Sequence, residues 1–248
     1  MAHAKFSPSG AHRWLLCPGS IAAESVFPDV AGYYAAEGTV AHTISERALI
    51  GNVPTSRFAG EVHEVEGHRI QVTDEMVNAT QLYVDYCRAV PAVLRAYEVR
   101  VPLNIGIPDQ FGTADAVLFW PDMRTIEVID LKYGQGKEVS PVHNPQASLY
   151  GLGAMDEFAW VTDIDTVVLT IIQPRIKAEP DSWVVSADEL RTWRRDTVIP
   201  AAAAADKPYA KRVAGKEQCG FCRARGNCKT RAQWALQQAR AEFVEDFV

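Results

Sequence analysis

Gly112-Thr113-Ala114-Asp115-Ala116-Val117-Leu118-Phe119-Trp120-Pro121-Asp122-Met123-Arg124-Thr125-Ile126-Glu127-Val128-Ile129-Asp130-Leu131-Lys132-Tyr133 is the stretch that decides the fold. Two β-rich runs, 114–120 and 125–133, flank the turn sequence Pro121-Asp122-Met123-Arg124. Folding the chain about the midpoint of that turn, between Asp122 and Met123, sets Asp115 opposite Asp130. Facing residues of an antiparallel pair hold their Cβ atoms about 4.5–5.5 Å apart. Carboxylates that close repel each other unless a cation lies between them. Lys132, two residues beyond Asp130, projects from the same face of its strand. Two acids and an ammonium therefore share one patch.

Working outward, residues 8–25, 34–50 and 73–96 read as helices, with Gly51 ending the second and Pro91 kinking or breaking the third. Residues 97–103 alternate as a strand. Downstream, Asn144 and Pro145 start a helix that runs to about Phe158. Strands follow at 166–173 and 182–185. Ser186 and Glu189 form a capping box for a helix through Ala205, and a last helix spans 230–243. This order predicts an α/β domain, one central mixed sheet flanked by helices. No linker divides it, so a single domain over 1–248 is expected, with its core at 97–185.

The 248 residues are 48% hydrophobic and 23% charged, the balance of a soluble globular chain. No apolar run approaches the roughly 20 residues that span a bilayer, and residues 1–6 lack a secretion-signal pattern. The cytoplasm, of a host cell for a phage protein, is the expected location, with no membrane partner. The net charge of −6 counts against nucleic acid, but its distribution does not. Residues 206–231 carry +6, leaving −12 elsewhere. A basic track beside a carboxylate-rich metal site fits DNA, and a solvated helical face is the alternative on charge alone.

Five cysteines are present: Cys17, Cys87, Cys219, Cys222 and Cys228. Cys219 and Cys222 form a C-x2-C pair with Cys228 close behind, a spacing that gathers thiolates around a metal. A four-ligand site needs one more, and Cys17 in Leu16-Cys17-Pro18-Gly19 supplies it, tying segments 9–20 and 215–230 together. Cys87, on an amphipathic helix, reads as a buried apolar residue. His63 and His68, in the loop-like stretch 61–69, and His143 read as surface residues without partners.

Each residue type of the Asp115, Asp130, Lys132 patch suits metal-assisted hydrolysis. Carboxylates hold Mg²⁺ or Mn²⁺. A bound ion polarises a phosphate and acidifies water, and a nearby ammonium stabilises developing charge. Gly112-Thr113-Ala114-Asp115, then Ile129-Asp130-Leu131-Lys132-Tyr133-Gly134, then Gln146 and Tyr150 resembles the RecB-like branch of the PD-(D/E)XK nucleases. Glu37-Gly38-Thr39-Val40-Ala41-His42 matches that branch's upstream helix, with Glu46 on the same face. The resemblance implies a restriction-endonuclease-like fold with His42, Asp115, Asp130 and the Leu131 carbonyl as metal ligands. It makes Lys132 the catalytic lysine and has Gln146 and Tyr150 contact the DNA backbone or order the site. Glu98 resembles the family's acid on the first core strand.

The one-plus-three cysteine split is similar to the iron-staple nucleases: the AddB nuclease domain, exonuclease V and the iron–sulfur CRISPR adaptation nucleases. It implies a structural [4Fe–4S] cluster on Cys17, Cys219, Cys222 and Cys228, with structural Zn²⁺ as the competing reading. Small phage or prophage recombination exonucleases resemble the chain as a whole. The expected function is metal-dependent DNA cleavage, by an exonuclease acting in recombination or repair. The implied partners are DNA and a single-strand annealing or other recombination protein. An iron–sulfur-stabilised DNA-binding module with weak or lost cleavage is the alternative.

Overall fold

The computed structural model describes residues 4–30 and 32–245. In chain order it holds helices α1 (Ala11–Trp14), α2 (Ser20–Glu24) and α3 (Tyr33–Gly51), strands β1 (Val62–Val65) and β2 (His68–Gln71), and helix α4 (Asp74–Ala89). Strands β3 (Leu94–Pro102), β4 (Phe111–Trp120) and β5 (Thr125–Leu131) follow, then α5 (Pro145–Phe158), β6 (Thr166–Ile172) and β7 (Asp181–Ser186). The chain closes with α6 (Ala187–Trp193), α7 (Ile199–Ala205), α8 (Lys216–Gly220) and α9 (Lys229–Glu245). Among the described residues no helix is long and apolar enough to cross a membrane.

The chain divides into two compact units. One gathers Met1–Asp29, Asn104–Gln110 and Thr192–Val248; the other holds Val30–Leu103 and Phe111–Arg191. The first is assembled from three separate stretches of chain, which is why no linker composition marks it.

The second unit is built on a five-stranded mixed sheet in the order β3-β4-β5-β6-β7, with β5 and β6 parallel and the other neighbours antiparallel. Helix α5 lies across one face, while α3 and α4 pack together on the other. The period of two along a strand sorts the side chains. Ala116, Leu118, Ile129 and Leu131 join the α3–α4 core, whereas Phe119 turns to Phe158 of α5, 5.8 Å between ring centres. Each fully buried Ile or Leu stabilises the fold by about 1.5–3 kcal/mol.

Local chemistry sets most element ends as expected. The Asn144 side chain accepts from the amides of Gln146 and Ala147, with Pro145 in the first turn. Thr73 caps α4 by accepting from the Met76 amide, and Ser186 Oγ accepts from the Glu189 amide. Gly51 is the last residue of α3, and Asn52 beyond it takes the left-handed turn, φ 49°.

Four expectations are corrected. The helix expected over 8–25 is interrupted at Leu15–Gly19, the segment that carries Cys17. The helix expected over 73–96 stops at Ala89, because Pro91 cannot continue it and forces Val90 into an extended conformation. The helix from Ser186 through Ala205 contains a π-helical turn at Arg194–Val198. Residues 61–69 are mostly a hairpin, β1 against β2, closed by Glu66 (φ 47°) and Gly67 (φ 81°). Its histidines have partners: His63 Nε2 lies 3.2 Å from Glu61, and the His68 ring meets Tyr33 at 6.1 Å. His143 is exposed as expected but sits edge-on to Trp183, 4.8 Å away.

Candidate metal centre

The β4–β5 hairpin puts the acids in place. Its ladder pairs Ala116 with Ile129 and Trp120 with Thr125. Carried one step further, that register sets Asp115 against Asp130. Here the backbone ladder gives way to a side chain, with the Leu131 amide donating to Asp115 Oδ2 at 2.7 Å. On the other side of β4, the β3 ladder pairs Tyr97 with Ala116 and Val99 with Ala114, leaving out Glu98 between them. Glu98 therefore faces Asp115, and its φ of 49° breaks the strand conformation at that one residue. A left-handed backbone at a non-glycine residue costs about 1–2 kcal/mol. Such strain clusters at functional sites.

Helix α3 brings in His42, whose Nδ1 lies 3.3 Å from Asp115 Oδ1. His42, Glu98 and Asp115 each offer a ligand atom, and these atoms all lie within 4.8 Å of one another. Glu98, on the first core strand, is thus in the group. Glu46, one turn beyond His42 on α3, is outside it, although its charge reaches Glu98.

Asp130 is also outside that trio. Its buried Oδ2 lies 2.7 Å from Lys132 Nζ, a charge contact without good hydrogen-bond alignment. Gln146 bridges this pair from α5: its Oε1 accepts from Lys132 at 3.0 Å while its Nε2 reaches Asp130 Oδ1 at 3.4 Å. Tyr150, one turn on, places its hydroxyl 3.5 Å from Gln146 Nε2. Leu131 ends β5 buried, with its amide committed to Asp115.

These charges reshape one another. Burial pulls the His42 imidazole down, but Asp115, then Asp130 and Glu98, outweigh it and raise the pKa to about 9. Burial, followed by Asp115, pushes Glu98 up to about 7. Burial also opposes ionisation of Asp115, yet His42, the Leu131 amide and Lys132 hold it below the ordinary carboxylate value. Burial raises Asp130, with Lys132 opposing. Burial and the Asp130 charge raise the Tyr150 phenol.

One feature of this surface went unread in the sequence. Arg175, just past β6, pairs with Glu37 at 3.0 Å and Glu75 at 2.9 Å and lies over the Tyr133 ring at 4.5 Å. It ties the helix bearing His42 to the residue after Lys132. Gln173 accepts from the Val139 amide and donates to the Gly134 and Lys137 carbonyls, fixing the loop after β5. The available signal was a Gln-Pro-Arg directly after a buried strand.

In the other unit, Cys17, Cys219, Cys222 and Cys228 line one small cavity with Ser20, Gln218, Arg212, Arg225 and Arg231. Gly19 permits the chain crossing there: a Cβ would stand 2.6 Å from the Ala210 carbonyl oxygen. The Gly19 amide donates to Lys211, and Cys17 Sγ accepts from the Val213 amide at 3.2 Å. Burial raises the thiols of Cys17 and Cys222. No three of the sulfurs all lie within 4.8 Å of one another. Tetrahedral zinc, with bonds of about 2.3 Å, needs its sulfurs roughly 3.8 Å apart. Cys87 is fully buried in α4, as expected of an apolar residue, and its thiol is pushed up to about 12 by burial.

Among solved structures, one titled "Crystal structure of SSO0001" is a distant likeness at 13% identity and TM-score 0.43, covering 91% of this chain and 86% of that one. The family described as "Protein of unknown function (DUF2800)" matches residues 3–247, and the chain belongs to that family.

Proposed function

We propose that this chain is a Mn²⁺- or Mg²⁺-dependent deoxyribonuclease with a restriction-endonuclease-like core, cleaving DNA from an end in recombination or repair. The observation that carries this reading is the meeting of His42, Glu98 and Asp115 ligand atoms within 4.8 Å, beside an ammonium and an amide on Asp130. Two carboxylates and an imidazole suit a divalent ion, and the nitrogen donor tilts the set toward Mn²⁺. His42, Glu98 and Asp115 would hold the ion, with Asp130 adjoining. A bound ion supplies polarisation of the scissile phosphate and acidifies the attacking water.

The remaining work falls to the chain's own groups. Lys132 presents its ammonium where negative charge develops on the phosphate. Gln146 holds Lys132 and Asp130 in one orientation through its two ends, and Tyr150 buttresses Gln146. The basic stretch 206–231 offers a phosphate track whose strength falls with salt. Cys17, Cys219, Cys222 and Cys228 line one cavity, and a set of four thiolates has the donor chemistry that would hold a [4Fe–4S] cluster.

Anaerobically purified protein incubated with end-labelled linear and circular DNA in Mn²⁺ tests the reading. Linear DNA is expected to be degraded, and alanine at Asp115 or Lys132 to abolish the cleavage. Variants that cut like the wild type would place the site elsewhere. DNA binding without turnover in any divalent metal would leave a binding module in place of the enzyme.

A further inference from the structure

Four of the buried hydroxyls among the described residues have clear partners. Ser45 donates to the Ala41 carbonyl at 2.8 Å, Thr80 to Met76 at 2.7 Å, Thr55 to Val77 at 2.9 Å, and Thr170 to the Glu127 carboxylate at 2.5 Å. Ser20 is different. Its Oγ is buried, the residue is 3% exposed, and the hydroxyl has no hydrogen-bond partner. Leaving a buried donor unmatched is costly, so a native group of this kind calls for an explanation.

The position of Ser20 supplies one. It begins α2 directly after the chain crossing at Gly19, and its amide donates to the Cys17 carbonyl at 2.8 Å. It lines the same small cavity as the four cysteines. Apart from the cysteines, the charged residues of that lining are all positive, Arg212, Arg225 and Arg231, and the Val213 amide donates to Cys17 Sγ. Ser20 also borders a larger open cavity of about 560 Å³. There, though, Lys5, Arg13 and Arg223 are already paired with Asp206, Glu24 and Asp29.

We infer that the Ser20 hydroxyl donates a hydrogen bond to a sulfur of a metal–sulfur cluster held by Cys17, Cys219, Cys222 and Cys228, and so raises the cluster's reduction potential. This rests on the cluster reading above and adds a tuning residue to it. Reduction places one more negative charge on the cluster. A donor aimed at sulfur favours the more negative state, and the arginines act in the same direction. Ser20 is a positioning and tuning group, not a ligand.

Purified full-length protein is first assayed for iron and visible absorption. An iron-free wild type would sink the cluster reading itself, and this inference with it. With iron present, the midpoint potential is measured by dithionite titration for wild type, Ser20→Ala and Ser20→Thr. Ser20→Ala is expected to disfavour reduction about threefold, a downward shift of about 28 mV at 59 mV per tenfold for one electron. Ser20→Thr, which keeps the hydroxyl, is expected to restore the wild-type value. Should Ser20→Ala not fold, Ser20→Gly is read in its place. An iron-loaded variant without the hydroxyl that titrates at the wild-type potential overturns the inference and leaves the cluster reading standing.

Discussion

Replacing Glu98 by glycine should stabilise the metal-free protein while weakening its hold on metal. Glu98 has a left-handed backbone, φ 49°, opposite Asp115. That conformation costs a side-chain-bearing residue about 1–2 kcal/mol, and glycine returns about 0.5–1 kcal/mol of that as unfolded-chain entropy. Charge adds to the gain. Burial and Asp115 lift the Glu98 carboxyl from 4.5 to about 7, so this acid is easier to ionise in the unfolded chain. Its unfavourable contribution grows as pH rises from 4.5 and is complete above about 7. Solvent screening of a half-exposed group reduces this to about 1 kcal/mol. The sum at pH 8 is about 1.5–2 kcal/mol, or a rise in Tm of about 3–8 °C for a chain of this size. Thermal unfolding in EDTA measures it, and Glu98→Ala separates the two causes. Alanine loses the charge and keeps the backbone strain, so Glu98→Gly should exceed Glu98→Ala by about 0.5–1 kcal/mol. Repeating the melts with Mn²⁺ should show a smaller ligand-induced rise for both variants than for wild type. If Glu98→Gly melts below wild type in EDTA, the strain is not real and the reasoning fails.

Three further outcomes follow from the same geometry. Lys132→Ala should lower cleavage by at least about 10²-fold yet tighten Mn²⁺ binding by about tenfold, because it removes a cation from the Asp130 carboxylate; calorimetry showing weaker binding would contradict this. His42, raised to about 9 by its carboxylate neighbours, must lose a proton to ligate, so apparent Mn²⁺ affinity should climb by up to about tenfold per pH unit until about pH 9. In the metal-free protein the His42 contribution to stability has the opposite slope: it is fully present below 6.5 and disappears through about pH 9. Proton release measured in two buffers checks the titration, and a pH-independent affinity would exclude His42 as a ligand. Cys17→Ser should lose the visible absorption and bound iron and lower Tm, and retention of both by the variant would exclude Cys17 as a ligand.

What was legible in the sequence was what neighbouring residues decide among themselves. The β4–β5 register follows from a four-residue turn and two β-rich runs, and its pairs fall where the Asp115–Asp130 alignment requires. Asn144-Pro145 specifies a helix start with a side-chain acceptor and a ring already at helical φ. The β1–β2 hairpin stayed hidden because its turn has Glu66, not Asn or Asp, before Gly67. Pro91 was read correctly as a breaker, but nothing local says that β3 starts as early as Leu94. That start is set by pairing with Phe119 across the sheet. What sets Glu98 apart is a backbone angle, φ 49°, which composition and periodicity do not encode. Arg175 was missed for the related reason that its partners, Glu37 and Glu75, lie 138 and 100 residues away.

On the proposed reading, the charge balance of the centre keeps its acids together in the folded chain before any metal arrives. Glu98, Asp115 and Asp130 concentrate negative charge within a partly desolvated pocket, an arrangement that would open the hairpin if left alone. Two cations of the chain stand in: the His42 ring against Asp115 and the Lys132 ammonium against Asp130. They differ in kind. An imidazolium can surrender its proton and become a ligand, so under the proposed function His42 would change from counter-ion to donor at the same position. Lys132 is not a ligand in the proposed mechanism, and there it would turn from Asp130 toward the phosphate. Gln146, which grips both Lys132 and Asp130, is placed to guide that shift. Lys132 would then face the phosphate instead of the carboxylate, because the incoming divalent charge has taken over its electrostatic role at the acids. On this view the residues that stabilise the empty site and those that act in hydrolysis are the same residues with exchanged partners.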